Sequence, residues 1–364
     1  MFAKNTKKNT DGQITNVICN SAKQGLIPQR EYFDKDIANS DNTSGYYIIE
    51  ENDFVYNPRK SSDAPYGPIS SYKYSDAGIV SPLYLCFRAK GAINPSFYEW
   101  YFRSSAWHRY VYMSGDSGAR HDRVSIKDDV FFAMPISIPS AREQEHIASF
   151  LDMIDQRIDK QRALVDNLKK YKRGLVKALI SGTVAFACSE NKRWETVRLA
   201  EIFTISAGGD IDRQNSSPTY STSYPYPVYA NALTNNGLYG YANYFKVEGD
   251  SITVSGRGEV GHAIARHCKY VPIVRLLSLV PKYEDDVDFF AYMINATSIY
   301  IESTGVPQLT SPQLGAVKVF RPPILEQKRI SSLLLKIDAK IENEERLTFY
   351  LEKIRSSMLQ QLFI

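Results

Sequence analysis

A long stretch of this chain occurs twice, and the duplication limits the fold more than any other feature does. Residues 139–181 and 322–364 align without a gap at a separation of 183 residues, and 13 of the 43 positions are identical. Self-similarity of this kind indicates a repeated structural unit. We therefore expect two copies of one element, each with its own globular neighbour.

Both copies are predicted to be long helices. Each follows prolines, which are tolerated only before a helix or in its first turn, and Glu143 and Glu326 place negative charge at the expected start. Apolar residues then recur at alternating spacings of four and three, which defines the a and d positions of a heptad seam. The expected seam residues are Ile147, Leu151, Ile154, Ile158 and Leu168 in the first copy and Ile330, Leu334, Ile337, Ile341 and Leu351 in the second.

Polar residues interrupt the two seams at matching positions. Gln161 matches Glu344, and Lys172 matches Arg355. Such residues weaken a coiled coil but fix its register and its partner. One such helix alone is typical of a helical hairpin or a dimerising coil, whereas two matched helices in one chain favour pairing with each other.

The segments before the two helices carry the signals of compact strand-and-turn domains. Each contains an apolar strand candidate, Val80–Phe87 or Val274–Val280, followed by a short amphipathic helix, Pro95–Trp107 or Asp286–Ala296, and a polar loop. The predicted fold class is α+β, with two mixed α/β domains separated by two long helices. The expected boundaries are 1–138 for the first domain, 139–182 for the first helix, 183–193 for a linker, 194–319 for the second domain and 320–364 for the second helix.

Composition restricts the class of function only weakly. A formal net charge of +4 permits a nucleic-acid partner, but a surface of mixed sign gives the same total. The four cysteines are isolated, so no zinc or redox motif is indicated, and reduced thiols favour a cytoplasmic protein. No apolar run reaches the roughly 18 residues needed to cross a bilayer, and the N-terminus lacks the apolar core of a signal peptide. We expect no metal site and no membrane partner.

Polar loops supply the candidate nucleic-acid contacts. Arginine can form two hydrogen bonds with guanine, Asn and Gln suit adenine, and Lys more often binds phosphate. An ordinary exposed loop explains each residue alone equally well, and the many tyrosines favour a strand-and-turn core over base contacts. The candidates are Arg59, Lys60, Tyr66, Arg120, His121 and Arg123 in the first domain, and Asn231, Asn235, Arg257 and Gln308 in the second.

The sequence contains no motif that predicts catalysis. Asn57-Pro58 lacks the proline and aromatic residue that follow such a pair in adenine methyltransferases. The glycines of residues 256–261 have a spacing similar to that of a dinucleotide-binding loop, but we expect a strand–turn–strand context there instead of a strand–turn–helix. The chain is therefore predicted not to be an enzyme.

The repeated helices resemble those of the specificity subunits of type I restriction–modification systems. In the first copy the resemblance rests on Pro139, Glu143-Gln144, Ile147-Ala148, Leu151, Ile154-Asp155, Ile158 and the run Lys172-Arg173-Gly174-Leu175, and in the second on Pro322 to Leu362. Trp194, Val197, Leu199 and Ile202 are similar to the start of a recognition domain in that family. The likeness covers nearly the whole chain.

This resemblance implies two target-recognition domains whose distance is set by an antiparallel coiled coil. Each domain would read one half of a bipartite, asymmetric sequence in double-stranded DNA. Two modification subunits would dock on the chain and methylate adenine with S-adenosylmethionine, and restriction subunits would use ATP and Mg, so that this chain itself binds no cofactor. Two alternatives stay open: a coiled-coil adaptor, and a truncated, silent specificity subunit.

The first domain differs from the second at its start. It has no counterpart of Trp194–Ile202, because residues 2–5 already match the interior of the pattern. We therefore expect either a chain that starts late or a shortened first domain with a compromised half-site.

Overall fold

The computed structural model of this protein describes residues 1–32, 43–115, 122–180, 194–299 and 308–363. These residues form two compact units, each of which includes part of both long helices. The first unit contains residues 1–162 and 346–364, and the second contains residues 163–345. Within the described ranges, no helix is both long enough and apolar enough to cross a membrane.

The first unit is built from short strands and a few helices. Its elements in chain order are β1 (Phe2–Lys4), β2 (Ile18–Ser21), β3 (Gly25–Pro28), α1 (Gln29–Tyr32), β4 (Tyr47–Ile49), β5 (Phe54–Tyr56), β6 (Ile69–Ser71), β7 (Gly78–Val80), β8 (Leu85–Ala89), α2 (Pro95–Arg103), α3 (His108–Ser114), α4 (Asp128–Phe132) and the long helix α5 (Ala141–Ile180), which continues into the second unit.

The second unit has the same kind of composition. Its elements are β9 (Glu195–Arg198), α6 (Leu199–Ile202), β10 (Phe203–Ala207), β11 (Ser216–Ser217), β12 (Tyr226–Tyr229), β13 (Leu238–Ala242), β14 (Ser251–Val254), β15 (Ala263–Arg266), β16 (Val271–Pro272), β17 (Leu277–Pro281), α7 (Val287–Ala296), α8 (Ser311–Gly315), β18 (Lys318–Arg321) and the long helix α9 (Ile324–Leu362), which ends in the first unit.

One antiparallel four-stranded sheet is common to both units. Its strand order is β1-β8-β5-β6 in the first unit and β10-β17-β14-β15 in the second. The equivalent strands lie at equivalent places along the chain, so the two sheets have the same topology. The edge strand β1 pairs with β8 as β10 pairs with β17. The chain duplication therefore includes the sheets as well as the helices.

A short helix packs against each of these sheets and begins with the same kind of cap. The side chain of Asn94 accepts a hydrogen bond from the backbone N–H of Phe97 at the start of α2, and Asp286 does the same for Phe289 at the start of α7. An Asn or Asp at this position satisfies a backbone donor that the helix itself leaves unpaired. Buried aromatic side chains of α2 and α7 then join the core of each unit.

The predicted strands that precede these helices are interrupted. The run Val80–Phe87 is divided between β7 and β8 by a turn at Ser81–Tyr84, and Val274–Val280 begins with a turn before β17. The expectation of a continuous strand was wrong in both places, because Pro82 favours a turn and Val274 and Arg275 take positive φ angles. The predicted strand–turn–strand context of the 256–261 glycines is confirmed by β14 and β15.

The two long helices pack antiparallel, and each unit shows this by its own ion pairs. In the first unit Arg355 pairs with Asp155 and Arg162 with Glu352. In the second unit Lys169 pairs with Glu345 and Lys172 with Asp338. In both units the residue number falls along α9 as it rises along α5, which is the antiparallel order predicted from the family resemblance. The expected seam residues are buried or half-buried.

One matched pair of polar seam residues, Lys172 and Arg355, has equivalent roles in the two units. Arg355 and Lys172, which match in the sequence repeat, pair with Asp155 and Asp338, which also match. Asp155 further binds Arg103 of α2, and Asp338 accepts a hydrogen bond from Tyr292 of α7. Each aspartate thus joins a short helix of its unit to both long helices. Charged contacts at matched positions favour one register of the helices over others.

Candidate nucleic-acid interface

In the first unit the candidate residues gather around the loop of the β5–β6 hairpin. This loop, residues 57–68, exposes Arg59 and Lys60. The backbone N–H of Lys60 donates to the carbonyl of Asp122 over 2.8 Å, and Val124 N–H donates to Pro58 over 2.9 Å. The second polar loop of the unit is therefore paired with the hairpin loop by backbone hydrogen bonds.

That pairing places two arginines opposite each other. Arg59 and Arg123 form an antiparallel β-bridge, and both side chains reach solvent. Like charges directly opposite on neighbouring strands are destabilising, although Asp122, 3.8 Å from Arg123, offsets part of the repulsion. An anionic partner such as a phosphate backbone would relieve the rest, and a guanine edge would accept hydrogen bonds from either guanidinium.

A groove of about 810 Å³ lies beside these residues. Arg59, Lys60 and Arg123 line it together with the β2–β3 turn and the turn between β7 and β8. Asn20 holds both ends of the hairpin loop, because its buried amide donates to the carbonyls of Val55 and Pro68. A fixed loop with exposed cations suits recognition because less conformational entropy is lost on binding.

Tyr66, Arg120 and His121 complete the first-domain candidates. Tyr66 is half-buried, and its ring lies 4.6 Å from that of His108, so much of the ring packs inside the unit. The same burial lowers the pKa of His108. Arg120 and His121 lie outside the described residues, and their candidacy stays a prediction.

In the second unit the equivalent hairpin loop carries Arg257. This loop, residues 255–262, joins β14 to β15. Arg257 donates through Nε and Nη2 to Oε1 of Gln308, over 3.2 and 2.9 Å. The backbone N–H of Leu309 donates to the carbonyl of Gly256 over 2.9 Å. The segment before α8 is therefore hydrogen-bonded to the hairpin loop, as the segment before α4 is in the first unit.

The two remaining candidates of the second unit have different roles. Asn231 accepts a hydrogen bond from Gly256 N–H over 2.8 Å and donates to the carbonyl of Val274. Its amide is thereby occupied with backbone groups, so Asn231 positions the hairpin loop. Asn235 is exposed in a short turn with a φ of 50°, and no hydrogen bond within residues 194–299 or 308–363 joins it to Arg257.

Sequence reasoning missed a buried arginine behind the hairpin. Arg266 on β15 lies 3.7 Å from the ring centroid of Tyr229 and donates to Thr253 and to the carbonyl of Asn236. Its burial lowers the pKa of the guanidinium. The interaction ties the hairpin to the turn that carries Asn235. A lone arginine at the end of an apolar strand gave no signal of this role.

Nothing in the described part of the chain resembles a metal centre. Groups of three or more His, Cys, Asp or Glu that could hold a metal ion are absent from these ranges. His267, which lies next to Cys268, pairs instead with Asp250 and Asp288 at 2.9 and 3.1 Å. The candidate residues Arg59, Arg123, Arg257 and Gln308 themselves supply hydrogen-bond donors, an acceptor and positive charge.

Comparison with known families identifies this kind of chain. The model of the type I restriction modification DNA specificity domain matches residues 2–170 and again residues 191–353. The two matches cover most of the chain, and the chain belongs to this family. Each match contains one copy of the duplicated four-stranded sheet with its hairpin loop.

Individual relatives agree with this membership. A Mycoplasma pneumoniae protein provisionally named as a type I specificity subunit is 26% identical over 214 residues, which is 58% of this chain and 57% of that protein. The chain spans about half the length of the curated relatives it matches.

Solved structures show the same fold across the whole chain. A chain from a type I R-M system studied for complex assembly and conformational transition has a TM-score of 0.63 at 16% identity, covering 100% of this chain and 97% of that one. The type I restriction-modification S subunit from M. genitalium has a TM-score of 0.59 at 16% identity, covering 100% of this chain and 96% of that one.

Proposed function

We propose that this chain is the DNA-specificity subunit of a type I restriction–modification complex and that each unit reads one half of a bipartite target in double-stranded DNA. One observation carries the proposal. In both units a hairpin loop at the same place on the duplicated sheet is hydrogen-bonded to a polar segment, which precedes α4 in the first unit and α8 in the second. The two loops bring together exposed donors that are far apart in the sequence.

The proposed target is asymmetric because the two hairpin sites differ in chemistry. The first presents Arg59 and Arg123, which are donors only, whereas the second presents Arg257 held by Gln308, which can also accept. Different donor and acceptor patterns fit different base edges in the major groove. The same sheet would thus support two different half-site sequences.

The chain is proposed to act through protein partners rather than by its own catalysis. Exposed apolar residues lie on both long helices, and such residues support docking of other proteins. They include Phe150, Met153, Leu164 and Tyr171 on α5 and Phe349, Tyr350 and Ile354 on α9. We infer that two modification subunits, one for each copy of the repeat, bring S-adenosylmethionine, and that restriction subunits bring ATP and Mg. Because the proposed target is DNA, we infer that the chain acts with these partners in the cytoplasm.

Genome-wide mapping of methylated adenines tests the function. The modification subunits of the host would be expressed with and without this chain, and methylated positions would be sequenced. We expect one bipartite motif that appears only when the chain is present. Modification that is identical in both cultures, or a motif without two separated halves, would overturn the proposal.

Binding of the reconstituted complex to DNA provides the second test. A complex that grips phosphates with Arg and Lys loses affinity steeply as salt rises, because condensed counterions are released on binding. We expect a linear fall of log affinity with log salt concentration on DNA that carries the motif. An adaptor that binds only protein would give no such dependence.

A further inference from the structure

The turn before β17 in the second unit has an unusual backbone. Val274 and Arg275 have φ angles of 51° and 62°, and the N–H of Leu276 donates to the carbonyl of Ile273 over 3.0 Å. Two successive left-handed residues with this hydrogen bond form a type I′ turn, which normally uses Gly, Asn or Asp. A β-branched residue such as valine is a genuine outlier in this region.

Several contacts hold this strained turn. Val274 N–H donates to Gly209 and Arg275 N–H donates to Gly208, both over 2.9 Å. The amide of Asn231 donates to the carbonyl of Val274. Position 208 requires glycine, because the Cβ of any other residue would lie 2.6 Å from the carbonyl of Pro272. The surrounding structure therefore determines the turn, and strain maintained in this way is typical of functional sites.

The turn lies directly against the hairpin loop that carries Arg257. A Cβ on Gly256 would lie 2.8 Å from the carbonyl oxygen of Arg275, so the two backbones touch at this point. Asn231 binds both segments, since it also accepts from Gly256 N–H. The backbones that carry Arg257 and Arg275 thus form one connected surface.

Arg275 is exposed on this surface. No ion pair or side-chain hydrogen bond of Arg275 occurs within the described residues of the second unit, whereas Arg257 is held by Gln308. A guanidinium without a protein partner retains its donors for a ligand. It is the bidentate reader of guanine where the geometry is fixed, and here the turn fixes its backbone.

The first unit has a four-residue turn at the equivalent place, but it lacks left-handed residues and carries a different side chain. Tyr84 N–H donates to the carbonyl of Ser81 over 3.0 Å, as Leu276 does to Ile273, and the turn again precedes the strand next to the sheet edge. Leu83 takes the place of Arg275 there, is 61% exposed, and lines the groove beside Arg59 and Lys60. An exposed leucine in a polar groove can contact the methyl group of thymine.

We infer that this turn is a specificity-determining element in both units, with Arg275 reading a guanine in one half-site and Leu83 contacting a thymine methyl in the other. The inference rests on the proposed DNA-specificity function and assigns a further part of the same sites. In the first unit Pro82 favours the turn, and none of residues 81–84 is left-handed. The equivalent positions on the duplicated sheet thus carry an apolar side chain, Leu83, and a cationic one, Arg275.

Selection from a randomised DNA library by the reconstituted complex tests this assignment. Arg275→Ala is expected to lower affinity for the wild-type motif by about 5- to 150-fold and to relax one guanine position of one half-site. Arg275→Lys should fail to restore that position, because lysine lacks the bidentate geometry. Leu83→Ala should relax a thymine position in the other half-site only. Arg329→Ala on α9 removes the same charge at an exposed helix position and should leave the motif unchanged.

The outcomes separate the two levels of the proposal. A wild-type complex that selects no motif would defeat the DNA-specificity function itself. A wild-type complex with a clear motif that Arg275→Ala leaves unchanged would overturn only the present inference. A uniform loss of affinity on all sequences, with a smaller salt dependence, would identify Arg275 as a phosphate contact and would also overturn it. Thermal unfolding of each variant checks that the fold is retained.

Discussion

The two units of this chain use the same sheet and differ in what they attach to it. The first has two additional two-stranded sheets, β2–β3 and β4–β7, whereas the second has a further sheet of β11, β13, β12 and β16 and the two-stranded sheet β9–β18. The four-stranded sheet, the short helix packed on it and the aspartate contact to the long helices are common to both. Duplication has therefore preserved the parts that position the hairpin loop, while the exposed loops have diverged.

A second difference concerns the start of each long helix. Glu143 accepts hydrogen bonds from the backbone and hydroxyl of Ser140, which lowers the pKa of its carboxyl. The matching Glu326 follows Pro323 and instead accepts a hydrogen bond from the indole of Trp194 over 3.1 Å. The same glutamate thus caps its own helix in one unit and anchors the strand that opens the domain in the other. Equivalent residues need not have equivalent partners.

The largest expected effect tests whether the two duplicated helices contribute equally to the free energy of unfolding. Leu151 and Leu334 are equivalent seam residues, and both are completely buried. Leu151→Ala and Leu334→Ala should each lower the free energy of unfolding by about 2–5 kcal/mol, because each leaves a cavity. Denaturant unfolding measures the loss, with the exposed Leu335→Ala as the control. A large loss at only one position would break the equivalence of the two units.

The aspartate contacts provide a smaller, more specific comparison. We expect Asp155→Asn to lower the free energy of unfolding by about 1–3 kcal/mol, since it removes charge-assisted hydrogen bonds to Arg103 and Arg355. Double-mutant cycles on Asp155–Arg355 and Asp338–Lys172 compare the units. The coupling energy should be larger for the arginine pair, which has the better geometry for a carboxylate. Equal or reversed values would contradict this ranking.

The first of these contacts also predicts a pH dependence. Burial opposes ionisation of Asp155, but Arg103 and Arg355 outweigh it and hold the pKa of the carboxyl below its ordinary value. A lowered pKa in the folded state stabilises the fold above the unfolded pKa, near 4, and this stabilisation is lost as pH falls through the lower folded pKa. Acid unfolding of wild type and Asp155→Asn should therefore converge at low pH. A constant difference at all pH values would refute the assignment.

The smallest expected effect is the pH-dependent contribution of His267, in the second unit, to the free energy of unfolding. Burial opposes protonation of His267, but Asp250 and Asp288 raise its pKa overall. The raised pKa stabilises the fold below the unfolded pKa, near 6.5, and the contribution disappears as pH rises through the folded pKa. His267 is largely exposed, so His267→Gln should cost about 0.2–1 kcal/mol below pH 6 and little at pH 9. Unfolding curves at the two pH values check the sign.

The sequence predicted the helices well because their signal is local and repeated. The four-three spacing, the prolines and the matched polar residues each specify a helix without reference to distant residues. The strands were harder, since β1 pairs with β8 across more than eighty residues and most strands have only three to five residues. Val274–Val280 was expected to be one strand because no Gly, Asn or Asp in this run indicates a left-handed turn.

The candidate site could be predicted only in part for the same reason. Arg59 and Arg123, and Arg257 and Gln308, were selected by residue type, and the fold brings the members of each pair together. Asn231 was selected for adenine, but its amide is bound to backbone groups. Arg275 was missed because it lay inside an apolar run. The sequence shows which chemical groups a residue carries, whereas the partner of each side chain depends on tertiary contacts.

The most direct test of the central claim compares single arginine variants of the two hairpin loops. Adenine methylation would be mapped genome-wide for complexes containing wild-type chain, Arg59→Ala or Arg257→Ala. Two independent reading sites on a duplicated frame predict that each variant relaxes one half of the motif and leaves the other half intact. Unchanged motifs for both variants, or loss of sequence preference in both halves from a single substitution, would contradict the account.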